Sequence, residues 1–379
     1  MAALSIRRID RGDGKMAQRV FKQIRTIALM FSALWASAPL HAQAPPPTPT
    51  PAASQAAARE KIARWFDMQN ATLNLRYRVI DNSAGVVTTN QLQHRESLRA
   101  RIKADPAGRY AVNFGLFTGP RFNSGWDNTP IGISDTQRNL AFKQLFFAAQ
   151  PVAGVEGQVG GLYILRGEST EITTYDEDGY IMGERINVRR PKDLYFDEIS
   201  LTNANLNPDP ARIGVSHRFR DLDQSNYRQF LVDKKFGKRA GASTDFTTDR
   251  GARTWRQGLN IRTPELRYID RVIFEDYERV HPGTEYGFAL SLEKAVARKL
   301  SFNGGYASID PRFGGLNSDR FNIGRRVFLT TTYVVSPRVT ASYYITTAVG
   351  ANPTLPLRTM SNLVVGYNVL PDLRRTGLF

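Results

Sequence analysis

The chain has 379 residues, with 51 Lys plus Arg against 35 Asp plus Glu and a formal net charge of +16. That length suits one large barrel or two ordinary domains, and the absence of cysteine excludes disulfide frameworks, thiolate metal sites and cysteine nucleophiles. A basic excess points to nucleic acid, an anionic membrane surface or an anion pathway, and only the placement of the charge separates these.

Residues 1–42 hold seven of the basic side chains (Arg7, Arg8, Arg11, Lys15, Arg19, Lys22 and Arg25) against Asp10 and Asp13, leaving 44 basic and 33 acidic residues beyond them, or +11. Arg19, Lys22 and Arg25 precede an apolar run over 27–40, and Ala42 supplies a small residue at a cleavage point. This is the layout of an export signal over 1–42, starting at Met1 or at Met16. A membrane anchor would need a longer apolar run. Residues 43–55 are rich in Pro and Ala and read as a linker. Residues 56–69 have helix-forming composition, with Ile62, Trp65 and Phe66 on one face, and predict a short periplasmic helix.

From Ala71 onward no stretch approaches eighteen apolar residues, so no transmembrane helix is expected. Alternation with period two recurs instead. Leu73, Leu75, Tyr77 and Val79 alternate with Asn74, Arg76 and Arg78; Leu98, Ala100 and Ile102 alternate with Arg99, Arg101 and Lys103. The same pattern marks 110–116, 286–292, 339–346 and 362–369. Successive strand side chains point to opposite faces, so these segments each carry one apolar and one polar or small face. A soluble sandwich alternates in the same way. Three features favour a membrane barrel: segments of about nine to twelve residues, long enough to cross a bilayer when tilted, aromatics near segment ends, and the export signal.

Connection lengths agree. Short turns, often with Pro, fall at 104–108, 150–153, 190–193, 263–265, 336–338 and 371–372, and longer polar loops at 119–138, 167–179, 308–320 and 350–359. Short turns on one side and long loops on the other are a habit of outer-membrane barrels. Strand parity read from both ends clashes between 190 and 225, where one strand too many is visible. The expectation is therefore an all-β, transmembrane antiparallel barrel over 70–379, of about sixteen strands with fourteen to eighteen allowed, preceded by the short N-terminal helix.

The Arg-bearing first hairpin (Leu73 to Asp105), the signal segment, the paired strands over 328–348 and the terminal Phe379 together resemble the Gram-negative porin-like barrels, including alginate-export-type and carbohydrate porins. The resemblance implies an outer-membrane location and passage of small hydrophilic solutes. It also implies outer-membrane lipids and lipopolysaccharide as surroundings, insertion by the barrel-assembly machinery, a homotrimer, and Phe379 as the assembly signal. No cofactor is implied.

Two groups are candidates for the channel. Arg76 and Arg78 share the face opposite the apolar one, as do Arg99, Arg101 and Lys103. In a barrel that face is the lumen, where a row of cations selects anions; the alternative is a set of lumen residues balanced by carboxylates. Glu168, Glu171, Asp176, Glu177 and Asp178 form an acidic loop that lacks the calcium-loop pattern, so no metal is expected. Folded inward, it would set carboxylates against the arginines at a constriction. Competing readings are a lipid-hydrolase-like outer-membrane enzyme, a structural or adhesive barrel with a plugged lumen, and a soluble periplasmic β-protein. No nucleophile elbow or metal-protease motif is present, and Ser216 and His217 are strand neighbours that face opposite ways. Nucleic acid is excluded as a partner by export and by charge spread through strands.

Overall fold

The computed structural model describes residues 62, 64–82, 84–119, 125–133, 135–136, 138–170, 172–175, 180–189, 194–206, 211–212, 224–313, 323–350 and 358–375. The signal segment, the linker and Phe379 lie outside them. In chain order the strands are β1 (Phe66–Asp81), β2 (Val87–Lys103), β3 (Tyr110–Thr118), β4 (Asp127–Gly132), β5 (Leu140–Val152), β6 (Val155–Tyr163), β7 (Tyr180–Val188), β8 (Glu198–Asn205) and β9 (Ala211–Arg212). They continue as β10 (Tyr227–Phe236), β11 (Ala240–Asp249), β12 (Ala252–Arg262), β13 (Arg271–His281), β14 (Glu285–Ala297), β15 (Leu300–Ile309), β16 (Gly324–Ser336), β17 (Val339–Ala348) and β18 (Thr359–Asn368).

Each strand of the main ring pairs antiparallel with its neighbours, and β1 closes on β18 from Thr72↔Asn368 to Asp81↔Thr359. The ring runs β1, β2, β3, β5, β6, β7, β8 and then β10 through β18, which is sixteen strands. A closed ring leaves no unpaired strand edge, the requirement for crossing a bilayer with strands. The two short strands stand outside the count. β4 continues the line of β3 along β2, pairing His94↔Asp127 and Gln93↔Asn128. β9 pairs two residues with β5. The parity clash of 190–225 is thereby explained: that stretch contains one ring strand, β8, and the two-residue β9.

Alternation decides which face meets lipid. On β1, Leu75 is 46 % exposed while Arg76 beside it is 4 % exposed. Leu73, Val159, Ile186, Leu201, Leu290 and Leu329 are likewise exposed, an outward apolar surface that water would penalise and lipid would not. Aromatics rim this surface. On the side where β1 begins, Tyr110 stacks on Phe147 with centroids 6.5 Å apart, and Trp65, Tyr195, Phe236, Tyr268 and Tyr333 are exposed. Trp255 and Tyr286 lie near the other end. Two aromatic girdles flanking an apolar band are the pattern of an outer-membrane barrel.

Connections on the side where β1 begins and β18 ends are short, from two residues at 153–154, 298–299 and 337–338 to nine at 189–197. The opposite side carries the long ones, 119–139, 164–179, 206–226, 310–323 and 349–358. In outer-membrane barrels the short-turn side is the periplasmic one and the long-loop side the outer one, and the two sides are named accordingly.

One expectation is corrected. Phe66–Gln69 do not end a helix; they open β1, where Phe66 pairs with Ile102 and Met68 with Ala100. Local composition favoured helix, but pairing with β2 supplies hydrogen bonds and packing that propensity alone does not outweigh. Residues 56–61 and 63 lie outside the described residues; the helix of more than one residue among those described is at the other end of the chain, where α1 (Leu370–Arg375) follows β18. It is tied to the barrel by Asp372, which accepts a hydrogen bond from the Tyr367 hydroxyl and pairs with Arg338.

Candidate functional site

The connection between β6 and β7 turns into the barrel instead of away from it. Starting at Leu165, it is fastened along the inner wall of β10 to β13. Gln229 Nε2 donates to the Leu165 carbonyl at 3.0 Å, and the Glu168 amide donates to Ser243 Oγ at 2.8 Å. Asn260 Nδ2 donates to Glu168 Oε2 at 2.8 Å. Arg256 Nε donates to the Thr173 carbonyl at 2.9 Å while its Nη1 pairs with Asp245 at 3.1 Å. The deepest anchor is Glu275 on β13. It is fully buried and accepts from the amides of Thr170 and Thr173 at 3.2 and 3.3 Å and from both hydroxyls. Tyr175 donates its hydroxyl to Asp249; burial first, then the Asp249 charge, pushes the phenol well above its ordinary pKa.

Gly167 shows why the loop can lie so close. Its φ is +58°, and a Cβ there would stand 2.4 Å from Ser243 Oγ and 2.5 Å from Ser243 Cβ. Any larger residue would be strained by its backbone and would push the loop off the wall.

The five sequence-predicted cations all occupy the inward register of β1 and β2, where Arg76 pairs with Gln93, Arg78 with Gln91 and Asn70 with Arg99. They stand at several levels, not in one ring. Arg76 Nε donates to Gln93 Oε1 at 2.8 Å, and its guanidinium lies 4.1 Å from the Trp126 ring centroid. Arg78 Nε donates to Asn362 Oδ1 at 2.9 Å. Arg99 lies 5.1 Å over Phe117. Arg101 donates to the Gly108 carbonyl, and Lys103 ends β2 beside that turn, which puts both near the periplasmic mouth.

Several inward cations were missed, among them Arg185 and the loop anchor Arg256. Arg95 shares the face and the Phe117 ring with Arg99, at 5.8 Å; extending the β2 alternation by two steps would have found it. Arg326 on β16 donates to Thr346 Oγ1 at 3.2 Å and to the Arg358 carbonyl, and is 1 % exposed. Lys143 is fully buried where β5 slips register between Gly115 and Leu116 of β3. A bulge of this kind leaves no trace in the hydrophobic pattern.

Of the acidic loop, Glu168 is in place on the inner wall. Glu171 and Asp176, Glu177 and Asp178 lie outside the described residues. Glu168, Asp233 and Lys235 share a lumen cavity of about 470 Å³ with Arg99, Arg166 and Arg189. The arrangement is transverse. In a ring of sixteen, β11 is eight steps from β1 either way and β12 eight from β2. The inward arginines of β1 and β2 thus face, across the barrel, the wall that holds Glu168, Asp233, Asp245 and Glu275. Of the histidines weighed for catalysis, His94 faces outward and contacts Glu96 at 2.9 Å; His217 lies outside the described residues.

A closed sixteen-stranded antiparallel ring with a loop folded against its inner wall is a porin-like barrel fold. No protein-family model matches the sequence, and no curated protein sequence matches it. Among solved structures it is similar to OmpF of Salmonella typhi in complex with daunomycin, at TM-score 0.53 and 10 % identity, covering 80 % of this chain and 97 % of that one. It is also similar to the low-pH structure of Pseudomonas putida OprB, at 0.50 and 10 %, covering 84 % and 98 %. A mutant porin of Rh. blastica gives 0.50 and 10 %, covering 80 % and 99 %. At such identities the likeness is one of fold.

Proposed function

We propose that the chain forms an outer-membrane channel for passive diffusion of small hydrophilic solutes, with a preference for anions. Barrels of about sixteen strands are wide enough to leave an aqueous passage unless something plugs them. The observation that carries the reading is the transverse one: inward arginines on β1 and β2 stand across the ring from the wall on which the inward loop is fastened. A loop held there takes up part of the lumen on that side. Cations at a narrowing raise the local concentration of anions. Arg99 supports the preference directly, because among the described residues it has no carboxylate partner and its contact is the Phe117 ring.

The test is conductance of the purified mature chain in a planar bilayer. Stable open-channel steps, with a reversal potential of the anion-selective sign under a salt gradient, are expected. No conductance from a heat-modifiable, folded barrel would favour the plugged, adhesive reading. A chain recovered from the periplasmic fraction would end the membrane reading altogether.

The outward face of β2 supports a homotrimer. His94 and Glu96 form a polar pair at mid-strand among exposed Leu73 and Leu75. Charge on a lipid face is costly, and a neighbouring copy would cover it. Oligomer bands that dissociate on heating are expected, and a Glu96→Arg change should weaken them.

A further inference from the structure

Charge is matched at some turns of the short-turn side and unmatched at others. At three of them a carboxylate stands beside the arginine: Asp105 beside Arg109, Glu198 beside Arg189 and Asp372 beside Arg338. Three consecutive hairpins differ. They are β10–β11, β12–β13 and β14–β15, and their turn segments 238–239, 262–271 and 293–299 hold eight Lys plus Arg against three Asp plus Glu. All three carboxylates are engaged within the patch: Glu265 with Arg239 at 3.9 Å, Asp270 with Lys294 at 2.7 Å and Glu293 with Arg271 at 3.3 Å. Lys238, Arg262, Arg267, Arg298 and Lys299 remain. All five are exposed, and none has a carboxylate partner among the described residues.

We propose that these three hairpins dock an extended acidic segment of a periplasmic protein, with one carboxylate on each hairpin. The inference rests on the membrane placement above and not on the channel's selectivity. Neighbouring hairpins are two strands apart, about 10 Å, so the patch runs about 20 Å along the rim. An extended chain covers about 10 Å in three residues. Acidic side chains three positions apart therefore meet successive hairpins at Lys238, Arg267 and Arg298. The surface that presents the cations is braced. The Arg262 amide donates to the Arg239 carbonyl at 2.7 Å, and Asp270 accepts from the Ala295 amide at 2.7 Å, which ties each hairpin to the next. A braced surface loses little freedom when it binds. The middle turn also offers an anchor suited to protein. Tyr268 is 74 % exposed, Leu266 near it is exposed, and the Arg267 guanidinium lies 5.3 Å from the Tyr268 ring centroid. Tyr and Arg are enriched at protein interfaces. Five like charges held close repel one another, a cost that an acidic partner removes.

The test uses the folded full-length barrel in phosphatidylcholine nanodiscs and a fluorescent peptide of about nine residues with glutamates three apart. Anisotropy is read at about 0.15 M salt, where the screening length is about 8 Å. This peptide should bind more tightly than an isomer with its glutamates adjacent, and its glutamine analogue should not bind. Lys238→Glu, Arg267→Glu and Arg298→Glu together should weaken binding at least about tenfold. The same reversals at Arg64, Arg109 and Arg374, elsewhere on the rim, should not. Equal affinity for the two isomers, or equal loss from the two sets of reversals, would reduce the patch to diffuse charge and overturn the proposal. So would loss of peptide binding in phosphatidylglycerol discs, which would assign the cations to lipid headgroups. If the triple Glu variant fails to fold, Gln at the same three positions decides. Sidedness has its own readout. Arg298→Cys in intact cells should resist a polymer-linked maleimide too large for the pore, and labelling from outside would put the patch on the wrong surface.

Discussion

Thr173, in the inward loop, donates both its backbone amide and its hydroxyl to the Glu275 carboxylate on β13, 102 positions along the chain. Thr170 donates the same pair to the other carboxylate oxygen. Four donors thus converge on one buried acceptor, and removing that acceptor leaves them to find water or each other. An unsatisfied buried polar group costs about 1–3 kcal/mol. Glu275→Ala should therefore free the loop: open-channel current noise should rise and mean conductance should change, while the barrel still migrates as a folded band. Glu275→Gln, which keeps an acceptor oxygen, should fall between. Identical current traces for all three proteins would show that the loop is held elsewhere.

The lipid and lumen faces make opposite demands on one substitution. Leu75 and Leu329 point outward, whereas Asn74 and Ser342 sit in the inward register, opposite Arg95 and Thr332. Arg on the lipid face costs about 2–4 kcal/mol at the midplane. Leu75→Arg or Leu329→Arg should reduce the yield of heat-modifiable barrel, and Asn74→Arg or Ser342→Arg should not. Equal yields would mean the register is shifted by one residue, since that slip exchanges the faces completely.

Three turn carboxylates on the periplasmic side share a device. Asp105 accepts the Tyr110 amide, Asp197 the Lys235 amide, and Asp270 both the Lys294 ammonium, at 2.7 Å, and the Ala295 amide. These contacts hold each carboxyl below its ordinary pKa; the amide is the leading cause for Asp105 and Asp197 and the Lys294 ammonium for Asp270. A lowered folded-state pKa gives stability that is present above the unfolded value, about 3.9, and lost as pH falls through the folded one. Asp270→Asn should accordingly lower the temperature of the gel-mobility transition at pH 7, with the gap closing in acid. The groups are exposed, so the gap should also shrink in salt. A gap of equal size at neutral and acid pH would assign it to packing.

The ring was legible because alternation with period two survives in any half-buried strand. Leu73 and Leu75 against Arg76 and Arg78 fix the face of β1 without help from the rest of the chain. The reading failed where structure depends on remote partners. Phe66–Gln69 look helical until Ile102 and Ala100 are set beside them. The anchor of the inward loop pairs residues about a hundred positions apart, which no local pattern reports. Arg326 follows Arg325 at the head of an apolar run, and a doublet of like charges does not declare which member faces in. The β5 bulge that buries Lys143 shifts the face of everything beyond it while the composition stays unchanged.

Selectivity is where the geometry is most exposed to disproof. Arg99 and Arg101 lie on the inward face of β2, across the ring from the wall that carries Glu168. If their charge sets the ion preference, Arg99→Glu with Arg101→Glu should move the reversal potential toward cations. The shift should be larger at 0.1 M than at 1 M salt, because the screening length falls from about 10 Å to about 3 Å. Glu168 pulls the other way: a carboxylate facing the arginines weakens their field, so Glu168→Gln should strengthen anion preference in the otherwise unchanged channel. The two changes are in separate strands and loops, and their effects on the reversal potential should be of opposite sign. A double Arg variant with intact conductance and an unmoved reversal potential would remove β2 from the selectivity region. The determinant would then have to be sought nearer Arg326 on β16, whose guanidinium is also inward but whose neighbour is Arg358 and not the loop.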